Sequence, residues 1–235
     1  MTDPNLASVA DDHLAQLQSE SSPKKQLQLI DQIATQGRAG LAVLQEFLKI
    51  QAPQGTSLAL GKAYQTLYDT TDPESQSFLQ THFPHGIVPL NSDRDIDYKP
   101  LQKLLADRVF QEADRLTLLK MCELAGESAF ERQWLYFSEV ENFPVTDLQT
   151  IDNLWLMHSE GKFGFSVQRQ IWLSQGKNFN KIWGKIAWKS DNRWTRYPNE
   201  FIWDLSAPKG HLPLSNQLRG SRAFASLLSH PAWTS

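Results

Sequence analysis

The 235-residue sequence predicts an all-α protein: a small N-terminal helical bundle or superhelix, then a helical core broken by one long irregular loop. Three observations predict this. Apolar residues recur at helical spacing along most of the chain, glycine and proline punctuate them at short intervals, and strand signals are weak throughout.

In the first eighty residues, Leu27, Ile30, Ile33 and Ala34 keep one helical face, then Leu41, Leu44 and Leu48, then Leu60, Tyr64 and Leu67. Ser22-Pro23, Gly37 and Gly40, Pro53 to Gly55, and Asp72-Pro73 separate them. Helix starts near 24, 40, 57 and 74 give helix pairs a period close to that of helical-repeat solenoids. Two prolines, Asn91-Ser92 and alternating charges at 83–97 end this pattern, so the expected domains are 1–83 and 87–235.

Beyond that break, Leu101, Leu104 and Leu105 start one helix, and a second runs from Phe110 to Leu124. Asp147 is the expected N-cap of a helix bearing Leu148, Ile151 and Trp155, ended by Gly161. Ser166 is the expected cap of the next, with Val167 and Ile171; Phe179, Ile182 and Ile186 mark another. Leu214, Leu218 and Ala225 mark the last. Between Trp188 and Pro213 the helical period fails, and aromatics sit among Pro, Asp, Asn and Gly, the pattern of a functional loop.

Composition narrows the function. An apolar fraction of 40% and a charged fraction of 21% fit an ordinary globular chain. No apolar run approaches the ~18 residues of a membrane span, and the N-terminus is acidic and polar, so neither anchor nor signal peptide is expected. The single Cys122 excludes an internal disulfide framework and is read as a small buried apolar residue. The charge is uneven. Residues 1–86 carry 5 bases and 9 acids (net −4), 87–159 carry 7 and 13 (−6), and 160–235 carry 11 and 4 (+7). Five of the eight tryptophans fall between Trp172 and Trp203, within that cationic third. Cations beside flat rings suit a flat anionic partner: a tetrapyrrole, a nucleotide or a nucleic acid.

No phosphate-binding glycine loop, metal-spaced histidine pair or nucleophile elbow is present, so no catalytic residue and no metal site is assigned. His158 reads as a core histidine on a helix face. Trp172 and Trp183, at helical spacing, read as core; Trp194, Arg196 and Tyr197, in the aperiodic stretch, read as ligand contacts. Arg219 and Arg222, three apart, share a helix face and can hold carboxylates at the edge of a planar ligand. His211 is the histidine nearest this group in sequence that could ligate a bound metal. A single-stranded nucleic-acid binder and a pure scaffold are the alternatives; net negative charge and the lack of a nucleic-acid-binding signature count against the first.

The strings CELAG (Cys122–Gly126), RQWLYF (Arg132–Phe137), FGFSVQ (Phe163–Gln168), WTR (Trp194–Arg196), WDLSAPKGHLP (Trp203–Pro213) and QLRG (Gln217–Gly220) resemble the genomes-uncoupled-four family. Its members are porphyrin-binding regulators of magnesium chelatase in cyanobacteria and plastids. The likeness covers about Gly86 to Trp233, and the N-terminal helices match the extra domain of cyanobacterial members. It implies a hand-shaped helical core whose concave face takes protoporphyrin IX or Mg-protoporphyrin IX, with no obligatory cofactor. It also implies a non-catalytic stimulator of chelatase that engages the enzyme's large porphyrin-handling subunit. A cytoplasmic monomer, at most peripheral to thylakoid membranes, is expected. Arg196, Arg219 and Arg222 match cleft positions. Tyr197 stands where the family often has tryptophan, and Leu118 replaces an arginine of some members.

Overall fold

In a computed structural model of the chain, residues 4–191, 193–214 and 221–234 are described. The protein is all-α and divides into two compact units, Met1–Val88 and Pro89–Ser235.

The first unit holds α1 (Pro4–Ser19), α2 (Pro23–Ala34), α3 (Arg38–Gln51), α4 (Leu58–Asp69) and α5 (Pro73–His82). Local chemistry sets each start. Pro23 and Pro73 occupy first-turn positions that need no N–H, and Ser57 Oγ accepts from Leu60 N–H at 3.2 Å. Asp72 caps α5 by accepting from Ser75 N–H at 2.9 Å; that bond comes first among the causes holding its carboxyl below the ordinary range. The apolar stripes meet in one core, where Leu17, Ile30, Ile33, Leu44, Leu48 and Leu67 are wholly buried, each stabilising by ~1.5–3 kcal/mol relative to exposure. α3 enters that core so closely that a Cβ on Gly40 would lie 1.8 Å from the Ile33 carbonyl oxygen. Within this unit, the periodicity did not announce α1.

The second unit holds α6 (Lys99–Ala106), α7 (Phe110–Ala125), α8 (Glu127–Arg132), α9 (Phe137–Val140), α10 (Val145–His158), α11 (Phe165–Ser174), α12 (Phe179–Lys185) and α13 (Ser221–Ser229). Between α12 and α13 a two-residue hairpin pairs β1 (Lys189–Ser190) with β2 (Arg193–Trp194), Lys189 opposite Trp194. In the core of the unit, the fully buried Trp155 of α10 packs on Phe110 and Phe163 and donates Nε1–H to Thr117 Oγ1 at 3.0 Å. Cys122 is fully buried, and burial pushes its thiol up to about 11. His158 is a core histidine as expected; burial pulls it down to about 4.

Three boundaries differ from the sequence reading. Asp147 is not the N-cap of α10; Pro144, extended at ψ 141°, precedes it. Asp147 lies inside the first turn and is fully buried. It accepts from Ser92 Oγ at 2.5 Å, Asp93 N–H at 2.9 Å and Tyr98 Oη at 2.8 Å, tying the start of the unit to α10. Ser166 is likewise no cap. It sits within α11, and its N–H is accepted by Asp152 Oδ1 at 2.9 Å from across the neighbouring helix. Leu214 is outside α13, which begins at Ser221; Leu218 lies outside the described residues.

Candidate functional site

The aromatic residues of the C-terminal third separate into two groups. Trp172, Phe179, Trp183, Trp188 and Phe224 stack in series: Phe179 lies 5.5 Å from Trp172 and 5.3 Å from Trp183, and Trp183 lies 5.7 Å from Trp188 and 5.4 Å from Phe224. Trp188 is wholly buried and donates Nε1–H to His211 O at 2.7 Å. Trp172, Trp183, Trp188 and Phe224 are core, and Phe179 is half-buried.

The second group lies on the chain that leaves the hairpin. Trp194 is 37% exposed and Tyr197 is 40% exposed. The Trp194 ring lies 5.6 Å from that of Trp183, tilted against it, with Lys189 Nζ over it at 5.7 Å. Tyr197 stands edge-on to Phe201 and Trp203, and Trp203 Nε1–H donates to Pro198 O at 3.0 Å. Glu200 organises this turn, accepting Arg196 N–H at 2.8 Å and pairing with Arg193 at 3.1 Å. The Arg196 residue is exposed. So Trp194, Arg196 and Tyr197 share one ordered turn.

The irregular stretch is held from below by buried polar groups. Gln168 of α11 donates to both Gly210 O and Pro213 O, at 3.0 and 2.8 Å, and Lys162 Nζ donates to Leu205 O. Gly210, at φ +78°, is confined as well: a Cβ there would lie 2.7 Å from Ile171 Cδ1. His211 is buried and spends both ring nitrogens. Nδ1–H donates to Ile186 O at 2.7 Å, and Nε2 accepts from Ile202 N–H at 3.2 Å. Burial, partly opposed by that Ile186 bond, lowers its affinity for a proton. It is a brace for the loop and has no lone pair left for a metal.

Beside the turn lies an apolar cleft that periodicity did not reveal. Asp114, Leu118 and Met121 follow at i, i+4 and i+7 on α7, one helix face. Leu118 and Met121 line the cleft with Leu135, Val140, Leu214 and, from α13, Ala223, Phe224 and Leu227. The enclosed space is only about 20 Å³. Leu118 thus contributes apolar wall. Phe224 joins the cleft to the buried stack. Asp114 joins it to the exposed turn, because its Oδ1 accepts Leu214 N–H while its charge is felt by the Tyr197 hydroxyl. Burial pushes Asp114 up to about 7, against the Leu214 bond.

Arg222 is exposed at the first turn of α13, adjacent to Ala223 of the cleft wall. Arg219 lies outside the described residues. Among the described residues, no group of three or more histidine, cysteine or carboxylate side chains is placed to hold a metal, and no helix is long and apolar enough to cross a membrane.

Fold and cleft together define a two-unit all-α protein with a ring-and-cation edge on an apolar groove. Comparison with known proteins places it further. Residues 91–231 match the GUN4-like family, and residues 5–84 match the ARM-like repeat domain of the GUN4 N terminus. The chain belongs to the GUN4 family. It is 51% identical to a Ycf53-like protein of Synechocystis over 222 residues, 94% of this chain and 95% of that one. It is 41% identical to a chloroplastic tetrapyrrole-binding protein of Arabidopsis thaliana over 142 residues, 57% of this chain and 54% of the other. The structure of GUN4 from Chlamydomonas reinhardtii superposes with a TM-score of 0.59 at 42% identity, covering 63% of this chain and 95% of that one.

Proposed function

We propose that this chain binds protoporphyrin IX and Mg-protoporphyrin IX and, without catalysing a reaction itself, stimulates magnesium chelatase through the enzyme's large porphyrin-handling subunit. The observation that carries the reading is the pairing of two exposed rings, Trp194 and Tyr197, with the apolar groove reached through Phe224 and Leu214. A related chloroplast protein carries a tetrapyrrole-binding name, which supports the ligand class.

The geometry favours an open mode of binding. A space of about 20 Å³ is far below the ~300 Å³ of an enclosing small-molecule pocket, so a macrocycle lies along the groove rather than inside it. Contact with the apolar wall supplies the driving force at ~25 cal/mol per Å² of area removed from water, offset by the cost of association. Arg196, Arg219 and Arg222 orient the propionates, a modest contribution where water still reaches them. Committed to Ile186 and Ile202, His211 would supply no ligand to the magnesium of a bound Mg-protoporphyrin. One face of the ligand then stays available for transfer to the enzyme. We propose residues 87–235 as the binding domain.

Titrating tryptophan fluorescence with protoporphyrin IX and its magnesium form tests this reading. Quenching that saturates and survives high salt is expected, because burial of an apolar disk is little screened. Unchanged emission overturns it; quenching lost steeply with salt would indicate phosphate-type binding instead.

A further inference from the structure

The segment Glu127–Val140 carries a feature that the cleft does not use. Of the nine large hydrophobic side chains exposed among the described residues, three lie here: Phe130 (48%), Tyr136 (50%) and Phe137 (41%). They do not sit on a loose loop. Arg132 donates from Nη2 to both Glu139 carboxylate oxygens at 2.7 Å, from Nε to Trp134 O at 3.1 Å and from Nη1 to Ser128 O at 3.2 Å. Its guanidinium lies 4.6 Å from the Trp134 ring and 4.5 Å from the Tyr136 ring, and those rings meet edge-on at 4.5 Å. Glu139 also accepts Tyr136 N–H at 2.7 Å. One arginine therefore locks α8, the connecting turn and α9 into a single rigid piece.

Rings held rigidly in water cost free energy without stabilising the fold, yet they bind with little ordering penalty. Tyrosine and tryptophan braced by arginine are also the side chains that dominate protein interfaces. The surroundings set the sign of the partner. Residues 123–141 hold five acids (Glu123, Glu127, Glu131, Glu139, Glu141) and one base, Arg132, for a net of −4. Glu139 is spent on Arg132, Glu123 on Lys120, and Glu141 accepts from Ser226 Oγ at 3.1 Å, while Glu127 and Glu131 remain exposed. Arg94, which donates to Leu124 O and to Asn142 O at the segment's two ends, offsets one of these charges and leaves the excess negative. An anionic lipid surface is repelled by such a rim. The same segment turns Leu135 and Val140 inward as cleft wall, so its outer face backs directly onto the groove.

We infer that the Arg132-locked platform of Phe130, Tyr136 and Phe137 is a docking surface for a basic, apolar-bearing segment of a protein partner. The inference is independent of whether a tetrapyrrole occupies the cleft. The test uses the full chain and two labelled amphipathic peptides of roughly 18 residues, about five helical turns, one of leucine and lysine and one of leucine and glutamate. Anisotropy should show the lysine peptide binding on the order of tenfold more tightly than the glutamate peptide. Glu127→Lys/Glu131→Lys, at exposed positions, should abolish that preference, and Tyr136→Ser/Phe137→Ser should weaken binding of the lysine peptide to a similar degree. A matched reversal in the other unit, Asp12→Lys/Glu74→Lys, should leave it unchanged. No binding to the wild-type chain, no preference between peptides, equal binding by the Glu127/Glu131 variant, or an equal loss in the Asp12/Glu74 control would each overturn the proposal. Should the serine variant fail to fold by circular dichroism, the charge-reversal pair still decides the question.

Discussion

Trp188, just before β1, and Trp194, in β2, stand six residues apart with opposite fates. Trp188 is sealed, its indole N–H given to His211 O, and Trp183 and Phe224 pack on it. Trp194 meets that stack at a tilt, 5.6 Å from Trp183, has Lys189 Nζ over its ring, and stays partly open to water. The difference teaches that an aromatic-rich stretch is not one functional unit: the inner rings build the wall, and the outer rings stand at its edge.

Substitutions can break or sharpen this division. Trp188→Ala should destabilise the chain by ~3–5 kcal/mol in a urea titration, as buried aromatic truncations do. Trp194→Ala should cost well under half as much, and equal losses would erase the distinction.

Asp114 probes the link between wall and edge through pH. Its folded value of about 7 lies above the ordinary 3.8, so the unfolded chain releases this proton first as pH rises. Asp114 therefore withdraws stability between about pH 4 and pH 7, and the loss persists above. Asp114→Asn removes that term while keeping an acceptor for Leu214 N–H. The variant should gain on the wild type by ~1–4 kcal/mol between pH 4 and pH 8, read from paired denaturation curves. A difference that stays flat with pH would show that Asp114 does not titrate in this range.

Smaller effects belong to the edge. Arg219→Ala/Arg222→Ala should weaken porphyrin binding by ~1–3 kcal/mol with an unchanged far-ultraviolet spectrum. Wild-type affinity would make both arginines solvated bystanders. Tyr197→Ala should cost ~1–2 kcal/mol of porphyrin binding and little stability, and Tyr197→Trp should raise affinity through its larger face. A sharply lowered unfolding midpoint with unchanged affinity would assign Tyr197 to the wall.

Much of this was legible in the residues. Periodic leucines and flanking prolines located α2 to α7, because those helices bury a single stripe and start at breakers. The exposed turn was legible for the opposite reason: large rings persisted where the period failed. What escaped was long-range. Asp147 and Ser166 look like caps locally, yet Asp147 serves residues 92–98 and Ser166 is served by Asp152, partners that no local window contains. The cleft escaped too, since its wall joins Leu118, Val140, Leu214 and Phe224 from four places in the chain. The role of His211 was equally hidden: its two partners lie 25 and 9 residues away.

The knot around Asp147 sets a limit on how the chain can be shortened. Ser92, Asp93 and Tyr98 together wrap a carboxylate that has no exposed surface, and Thr150 reaches back to Asn91 O at 2.8 Å from the same helix. A fragment beginning at 87 keeps every one of these donors. One beginning at 99, the first residue of α6, would lose all three donors together with the buried ring of Tyr98, and truncating a buried aromatic ring costs ~3–5 kcal/mol that a domain of this size can scarcely absorb. The seven residues from 92 to 98 look like linker by composition, but they behave as a clasp, and any minimal version of the second unit has to carry them.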